Sequence, residues 1–217
     1  IKLDGFHIGK YPVTQAQWKA VMGETLEDPR DNADQEDPFE DFSVTIFLEA
    51  LQKFQCGKGD NYPMYDVSWE EAQEFCRRLS EVAGRRYMLP TEAQWEYAAR
   101  GGKKSRHYKY AGSNDLDDVA WYLDNSEHET HPVGMKKSNE LGIDDMSGNV
   151  WEWCSDWYGK YDGNDTDNPQ GAISGAFRVF RGDGSDEEAE SCRVSFRCSE
   201  DPASRFNNLG FCVVCIL

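Results

Sequence analysis

Leu89-Pro90-Thr91-Glu92-Ala93-Gln94-Trp95-Glu96-Tyr97-Ala98-Ala99-Arg100-Gly101-Gly102 carries the clearest punctuation in this chain. Thr91 followed three positions later by Gln94 has the spacing of a capping box, in which two side chains satisfy the free N–H groups at a helix start. Trp95 and Ala98 supply apolar positions, and Gly101 suits the left-handed residue that closes a helix. A short, capped helix is predicted here.

The same punctuation occurs twice upstream. Ser68 with Glu71 opens a run carrying Trp69, Ala72, Phe75, Cys76 and Leu79, closed by Gly84; Thr14 with Gln17 opens one carrying Trp18, Val21 and Met22, closed by Gly23. Before them, Leu3 to Tyr11 alternates apolar and polar residues as a half-buried strand does. Glu24 to Asp41 holds nine acids against one base, Arg30, and reads as an exposed insertion, either a solvated loop or a cation-binding or docking loop. Ser43 to Phe54 places Val44, Phe47, Leu48 and Leu51 at helical spacing. Beyond Gly101 the texture changes to short segments rich in Gly, Asn, Asp and aromatic residues, which suits loops and short strands. Phe211 to Leu217 reads as a buried terminal strand. No linker divides the chain, so residues 1–217 are expected to form one domain with an insertion at about 24–60.

Composition narrows the function. Forty acids against 23 bases give a formal charge of −17, which argues against nucleic acid as a partner, because such binders concentrate positive charge on at least one face. With 39% hydrophobic and 13% aromatic residues the chain is not a disordered acidic tail. The longest apolar run, Phe211 to Leu217, is too short to insert directly into a membrane. Seven cysteines include one CxxC spacing, Cys212 to Cys215, but no second pair, which favours buried thiols over metal or redox chemistry. His131, before Pro132-Val133-Gly134, reads as loop structure rather than a ligand.

Several segments together resemble one family. They are Tyr11-Pro12-Val13-Thr14 with Trp18; Pro63 to Trp69 with Ala72, Phe75 and Cys76; Leu89 to Gly102; Leu141 to Trp153; Arg178-Val179 with Arg181-Gly182; and Asn208-Leu209-Gly210-Phe211. In that order they resemble the formylglycine-generating-enzyme (sulfatase-modifying factor) domain, across nearly the whole chain apart from Glu24 to Asp60. The resemblance implies an α+β, C-type-lectin-like fold of low regular secondary structure whose loops display a binding surface. Function still has to be argued from the site.

The enzyme of that family binds copper through two cysteines five positions apart. Soft Cu(I) wants a pair of thiolates. The second position falls on Cys192 and the first on Glu187, a hard carboxylate, so no copper is expected and Cys192 reads as a structural thiol. The segment Asp145 to Glu152 resembles a family calcium loop, in which side chains matching Asp145 and Glu152 join carbonyls matching Gly148 and Val150 in an oxygen-only shell.

The C-terminal forty residues keep a family frame: Arg178, Val179, Arg181, Gly182, Ala189, Cys192, Arg193, Arg197, Pro202, Arg205, Asn208, Gly210 and Phe211. Between frame positions, Asp183, Ser185, Asp186, Glu187, Ser191, Cys198, Ser199, Glu200, Ser204 and Phe206 replace mostly Asn, Gly or Trp. This resembles the variable proteins of diversity-generating retroelements, in which template adenines are randomised and AAY codons become NNY. Such codons encode Phe, Ser, Asp and Cys but not Glu, so eight of the ten fit and Glu187 and Glu200 do not. Phe180 and Phe196 are further candidates in a variable region of about 178–217. The resemblance implies a non-catalytic binding protein recognising a protein or cell-surface ligand, displayed at the cell surface or outside the cell, with any anchor upstream of Ile1. Phe180 and Phe206 are the expected apolar anchors. The alternative is a copper-dependent oxidase that makes formylglycine from a sulfatase cysteine.

Overall fold

The computed structural model describes residues 1–23, 56–161, 163 and 165–217. The acidic stretch Glu24 to Asp41 and the helix expected over Ser43 to Phe54 lie outside the described residues. Three α-helices stand where the capping signals place them: α1 (Gln15–Met22), α2 (Trp69–Ala83) and α3 (Glu92–Ala99). At each start the Thr14, Ser68 or Thr91 hydroxyl accepts the N–H three residues on, and Gln17, Glu71 or Gln94 accepts the cap residue's N–H in return. Gly23 and Gly84 close α1 and α2 in the left-handed conformation. The end of α3 differs from expectation: Arg100 is its cap, and left-handed Gly101 instead opens a 3-10 turn over Gly102–Lys104.

Two sheets complete the described fold. In the first, β1 (Phe6–Ile8) and β2 (Tyr87–Met88) both pair antiparallel with β7 (Val214–Ile216) between them. The second has the order β5 (Cys198–Glu200), β4 (Arg178–Arg181), β3 (Trp151–Trp157), β6 (Leu209–Gly210), with only β3 and β6 parallel. From Ser105 to Val150 the chain forms turns, bends and one isolated bridge, Tyr110 with Ser113.

Eight-residue helices do not persist alone in water. Packing holds them: Trp18 of α1 stacks on Phe75 of α2 at 5.7 Å, and Phe211 meets both rings edge-on. That cluster continues through Leu89, Leu209 and Trp153 to Phe180 under the second sheet. A second cluster gathers around Trp95, Val179 and Cys212, and a third around Tyr110, Tyr122 and Cys192. Glycine is required at Gly148, where φ is +78° and a Cβ would meet the Trp121 carbonyl oxygen at 2.3 Å. Among the described residues no helix is long and apolar enough to cross a membrane.

Candidate functional site

The C-terminal face is built outward from Glu92. This first residue of α3 sits where a helix terminus favours a carboxylate, and it is 4% exposed. Its Oε1 accepts Arg181 Nη1 at 2.6 Å and Arg197 Nε at 2.7 Å, and its Oε2 accepts Arg197 Nη2 at 2.5 Å. Tyr161 donates its hydroxyl to Oε1 at 3.1 Å. Arg181, fully buried, also donates to Glu96 and to the Val194 carbonyl, both at 2.7 Å. Arg197 lies over the Tyr158 and Tyr161 rings and donates to the Gly159 carbonyl. Buried charges survive only when paired and hydrogen-bonded, and this network meets that condition while tying α3 to β4 and to the segment entering β5. Sequence reading quoted Glu92 only inside a motif. An acid in the first turn of a capped helix, in a chain whose frame keeps Arg181 and Arg197, was the signal that could have marked it as the hub.

Three of the twelve expected face residues belong to the frame instead. Phe180 is 7% exposed because its strand turns it onto Trp151 and Trp153, with ring centroids at 5.0 and 5.5 Å, so it is a core residue and no anchor. Asp183 is fully buried in a left-handed turn with φ +82° and accepts the Cys192 thiol at 2.7 Å. Ser185 is 3% exposed; its N–H donates to the Asn149 carbonyl and its own carbonyl accepts the Ser126 hydroxyl. A side chain in any of these places meets packed protein.

The other nine keep access to solvent. Asp186, Glu187, Ser191, Phe196, Cys198, Ser199, Glu200 and Ser204 are half-buried, and Phe206 is 42% exposed. Two of them meet Trp151. Phe196 lies 6.0 Å from that ring, Glu187 accepts the Trp151 indole N–H, and Asn208 donates to Asp186 at 2.6 Å. β5 carries Cys198, Ser199 and Glu200 along the outer edge of β4. Phe206 sits in the turn before β6, its carbonyl held by the Asp66 and Leu209 N–H groups. Burial first, then the neighbouring charges of Asp186 and Glu188, push the Glu187 carboxyl up, so a cationic group arriving there would relieve a strained charge.

The position does not suit copper. Cys192 is fully buried against Tyr110, Tyr122 and Val119, and burial together with Asp183 drives its thiol far above the ordinary range. Glu187 cannot supply the missing thiolate. Among the described residues no group of three or more His, Cys, Asp or Glu side chains is placed to hold a metal ion. All seven cysteines are free thiols.

Asp145 and Glu152 present a different case. They are 4% and 1% exposed, and burial pushes both carboxyls up to about 7. Asp145 accepts the Gly134 N–H at 2.7 Å, while Glu152 accepts the Trp95 indole N–H at 2.5 Å and the Cys212 thiol. No ion pair reaches either among the described residues; Lys10 goes to neighbouring Asp144 at 3.2 Å. Two buried carboxyls that no cationic side chain pairs with among the described residues offer hard oxygen donors, the class a calcium ion takes. His131 is loop structure: its ring stacks on Trp121 at 3.8 Å and Nε2 lies 2.9 Å from the Ser126 carbonyl.

Comparison with known proteins agrees with this architecture. Residues 1–216 match the FGE-sulfatase family, the sulfatase-modifying factor enzyme 1-like domain. A formylglycine-generating enzyme of Streptomyces coelicolor is 39% identical over 170 residues, 70% of this chain and 52% of that protein. A chaperone protein LppX of Paenibacillus barcinonensis is 36% identical over 181 residues, 73% of this chain and 64% of that one. The chain thus spans between about half and two thirds of the length of these relatives. Among solved structures, Treponema denticola variable protein 1 matches with a TM-score of 0.82 at 28% identity, covering 100% of this chain and 86% of its own. The fold is the α+β, C-type-lectin-like one that the motifs implied. Motif order from Tyr11 to Phe211 and the match over nearly every residue lead to one assignment: the chain belongs to the FGE-sulfatase family of sulfatase-modifying factor enzyme 1-like domains.

Proposed function

We propose that this protein is a ligand-binding, receptor- or adhesin-like member of its family, non-catalytic, whose C-terminal face differs between siblings through a retroelement. The carrying observation is the division of labour in residues 178–217. Arg181, Cys192, Leu209, Gly210 and Phe211 are buried and hold the backbone, while nine of the expected variable positions stay accessible on that frame. Substitution at accessible positions costs little stability, so one fold can present many surfaces. The likeness to Treponema denticola variable protein 1 supports the reading. Asp186, Glu187 and Glu200, with neighbouring Glu188 and Glu190, bias this variant toward basic protein or cell-surface partners, mainly through association rate and specificity. Display at the cell surface or outside the cell is part of the same proposal.

Sequencing sibling isolates and the flanking DNA tests it. The expected result is a near-identical template repeat differing at adenines, with variation at Ser191, Cys198, Ser199, Ser204 and Phe206 and none at Arg181 or Cys192. An invariant tail would overturn it. The relative named a formylglycine-generating enzyme favours a second reading, oxidation of a sulfatase cysteine. Incubation with copper, oxygen and a cysteine-containing sulfatase peptide should yield no aldehyde; aldehyde that disappears in Cys192→Ser would establish the enzyme instead. A structural calcium ion held by Asp145, Gly148, Val150 and Glu152 completes the proposal. Added calcium should then raise the melting temperature of the chelator-treated protein, and Asp145→Asn should remove that rise.

A further inference from the structure

The outer face of the three-stranded sheet carries a second set of reactive groups that the C-terminal face does not use. The strand register sets His7 of β1 opposite Cys215 of β7, and Cys215 opposite Tyr87 of β2. Directly paired residues on adjacent strands project to the same side, so the three side chains form a row across the sheet. The alternate residues Ile8 and Val214 pack toward the core, which turns the row outward. Arg85 joins His7, Tyr87 and Cys215 around a cavity of about 290 Å³. That volume lies near the lower end of small-molecule sites.

The polar groups here are unpaired. Neither the Arg85 guanidinium, the His7 ring nor the Tyr87 hydroxyl has a hydrogen-bond or ion-pair partner among the described residues. Acids are plentiful in a chain with 40 of them to 23 bases, and Arg77, Arg78, Arg181, Arg197 and Arg205 each pair with at least one. Cys215, 8% exposed, forms part of the cavity wall. Unpaired donors around a hollow whose wall holds a thiol suit an incoming anion that carries a group a thiol can attack.

The geometry points to an anion-guided thiol-exchange site, in which Arg85 and Tyr87 hold the carboxylate of a small disulfide and Cys215 forms a mixed disulfide with it. His7 takes the Cys215 proton, and the Cys215 sulfur attacks one sulfur of the ligand's S–S bond. That bond breaks as the new S–S bond forms, and the departing thiolate leaves with the proton from His7. The ligand disulfide is the oxidant: the Cys215 sulfur is oxidised and the departing sulfur is reduced.

The test compares two small disulfides on the intact chain, the dicarboxylate 5,5′-dithiobis(2-nitrobenzoate) and the neutral 2,2′-dithiodipyridine. Modification is followed cysteine by cysteine with peptide mass mapping in wild type, Arg85→Gln and His7→Asn. Cys215 should react with both reagents. Its preference for the dicarboxylate should fall about two- to fivefold in Arg85→Gln, the size expected of one exposed charge contact. His7→Asn should slow both reagents at Cys215. Half-buried Cys56 and Cys198 report the integrity of the fold, and their rates should not change. An unreactive Cys215, or a preference that ignores Arg85, overturns the proposal.

Discussion

Replacing Glu92 with Gln removes one negative charge from the centre of the C-terminal frame while keeping the side chain's size and one acceptor oxygen. Arg181, with no exposed surface, then retains only Glu96 as an anionic partner, and Arg197 retains none, keeping the Gly159 carbonyl, two tyrosine rings and at most the neutral amide oxygen. Removing one member of a buried ion pair typically costs 3–5 kcal/mol, because the remaining charge stays desolvated. Glu96 still reaches Arg181 at 2.7 Å, so the lower end applies, about 3 kcal/mol. For a domain of this size that corresponds to a fall of about 6–12 °C in melting temperature. Urea unfolding followed by tryptophan fluorescence measures it as a lower midpoint at unchanged slope. Pairing Glu92→Gln with Arg197→Met in a double-mutant cycle isolates the direct coupling, which should exceed about 1 kcal/mol. A loss below about 1 kcal/mol, or a coupling near zero, would refute Glu92 as the hub and leave α3 held by apolar packing alone.

Three further outcomes follow from the same geometry. Burial pushes the Asp183 carboxyl up to about 8, so between the unfolded value near 4 and that point the unfolded chain binds fewer protons and stability falls as pH rises. Asp183→Asn should remove about 4 kcal/mol of pH dependence between about pH 5 and 8, read from urea unfolding at each pH, and coinciding slopes of stability against pH for wild type and mutant would contradict the effect. Phe180→Ala should cost about 3 kcal/mol and Phe206→Ala less than about 1 kcal/mol; equal losses would mean that the division between frame and face is wrong. The Arg178 guanidinium lies 3.7 Å from Trp69 and 3.4 Å from Trp157, between two rings, and donates to the Ser155 carbonyl at 2.7 Å. Arg178→Lys loses the planar stack and should cost about 1–2 kcal/mol by thermal unfolding, whereas an unchanged midpoint would show the stack to be energetically idle.

The helices were legible because their signals are local. A capping box spans four residues, and Thr14, Ser68 and Thr91 act as N-caps where the spacing says they do. The frame of the C-terminal region was legible for a similar reason, since Arg181-Gly182, Cys192 and Gly210-Phe211 occur in a fixed order. Strand lengths were less so: the alternation from Leu3 to Tyr11 contracts to Phe6–Ile8, because only those residues find β7 as a partner. Whether a residue between frame positions faces solvent is not a local property at all. Phe180 and Phe206 look alike as candidate anchors, yet β4 turns one onto Trp153 and a turn before β6 leaves the other in water.

By itself the sequence determined the family, the capped helices, the order of the frame and the mismatch of Glu187 with a soft metal, all of which depend on residue identity at short or fixed spacing. Only the tertiary structure decided that Glu92 anchors two arginines 89 and 105 positions away, that Asp183 and Ser185 belong to the core, and that His7, Tyr87 and Cys215 share one hollow. These facts rest on contacts between distant segments. Burial and charge pairing, which set their energies, come into being only when the sheets and helices close around one another.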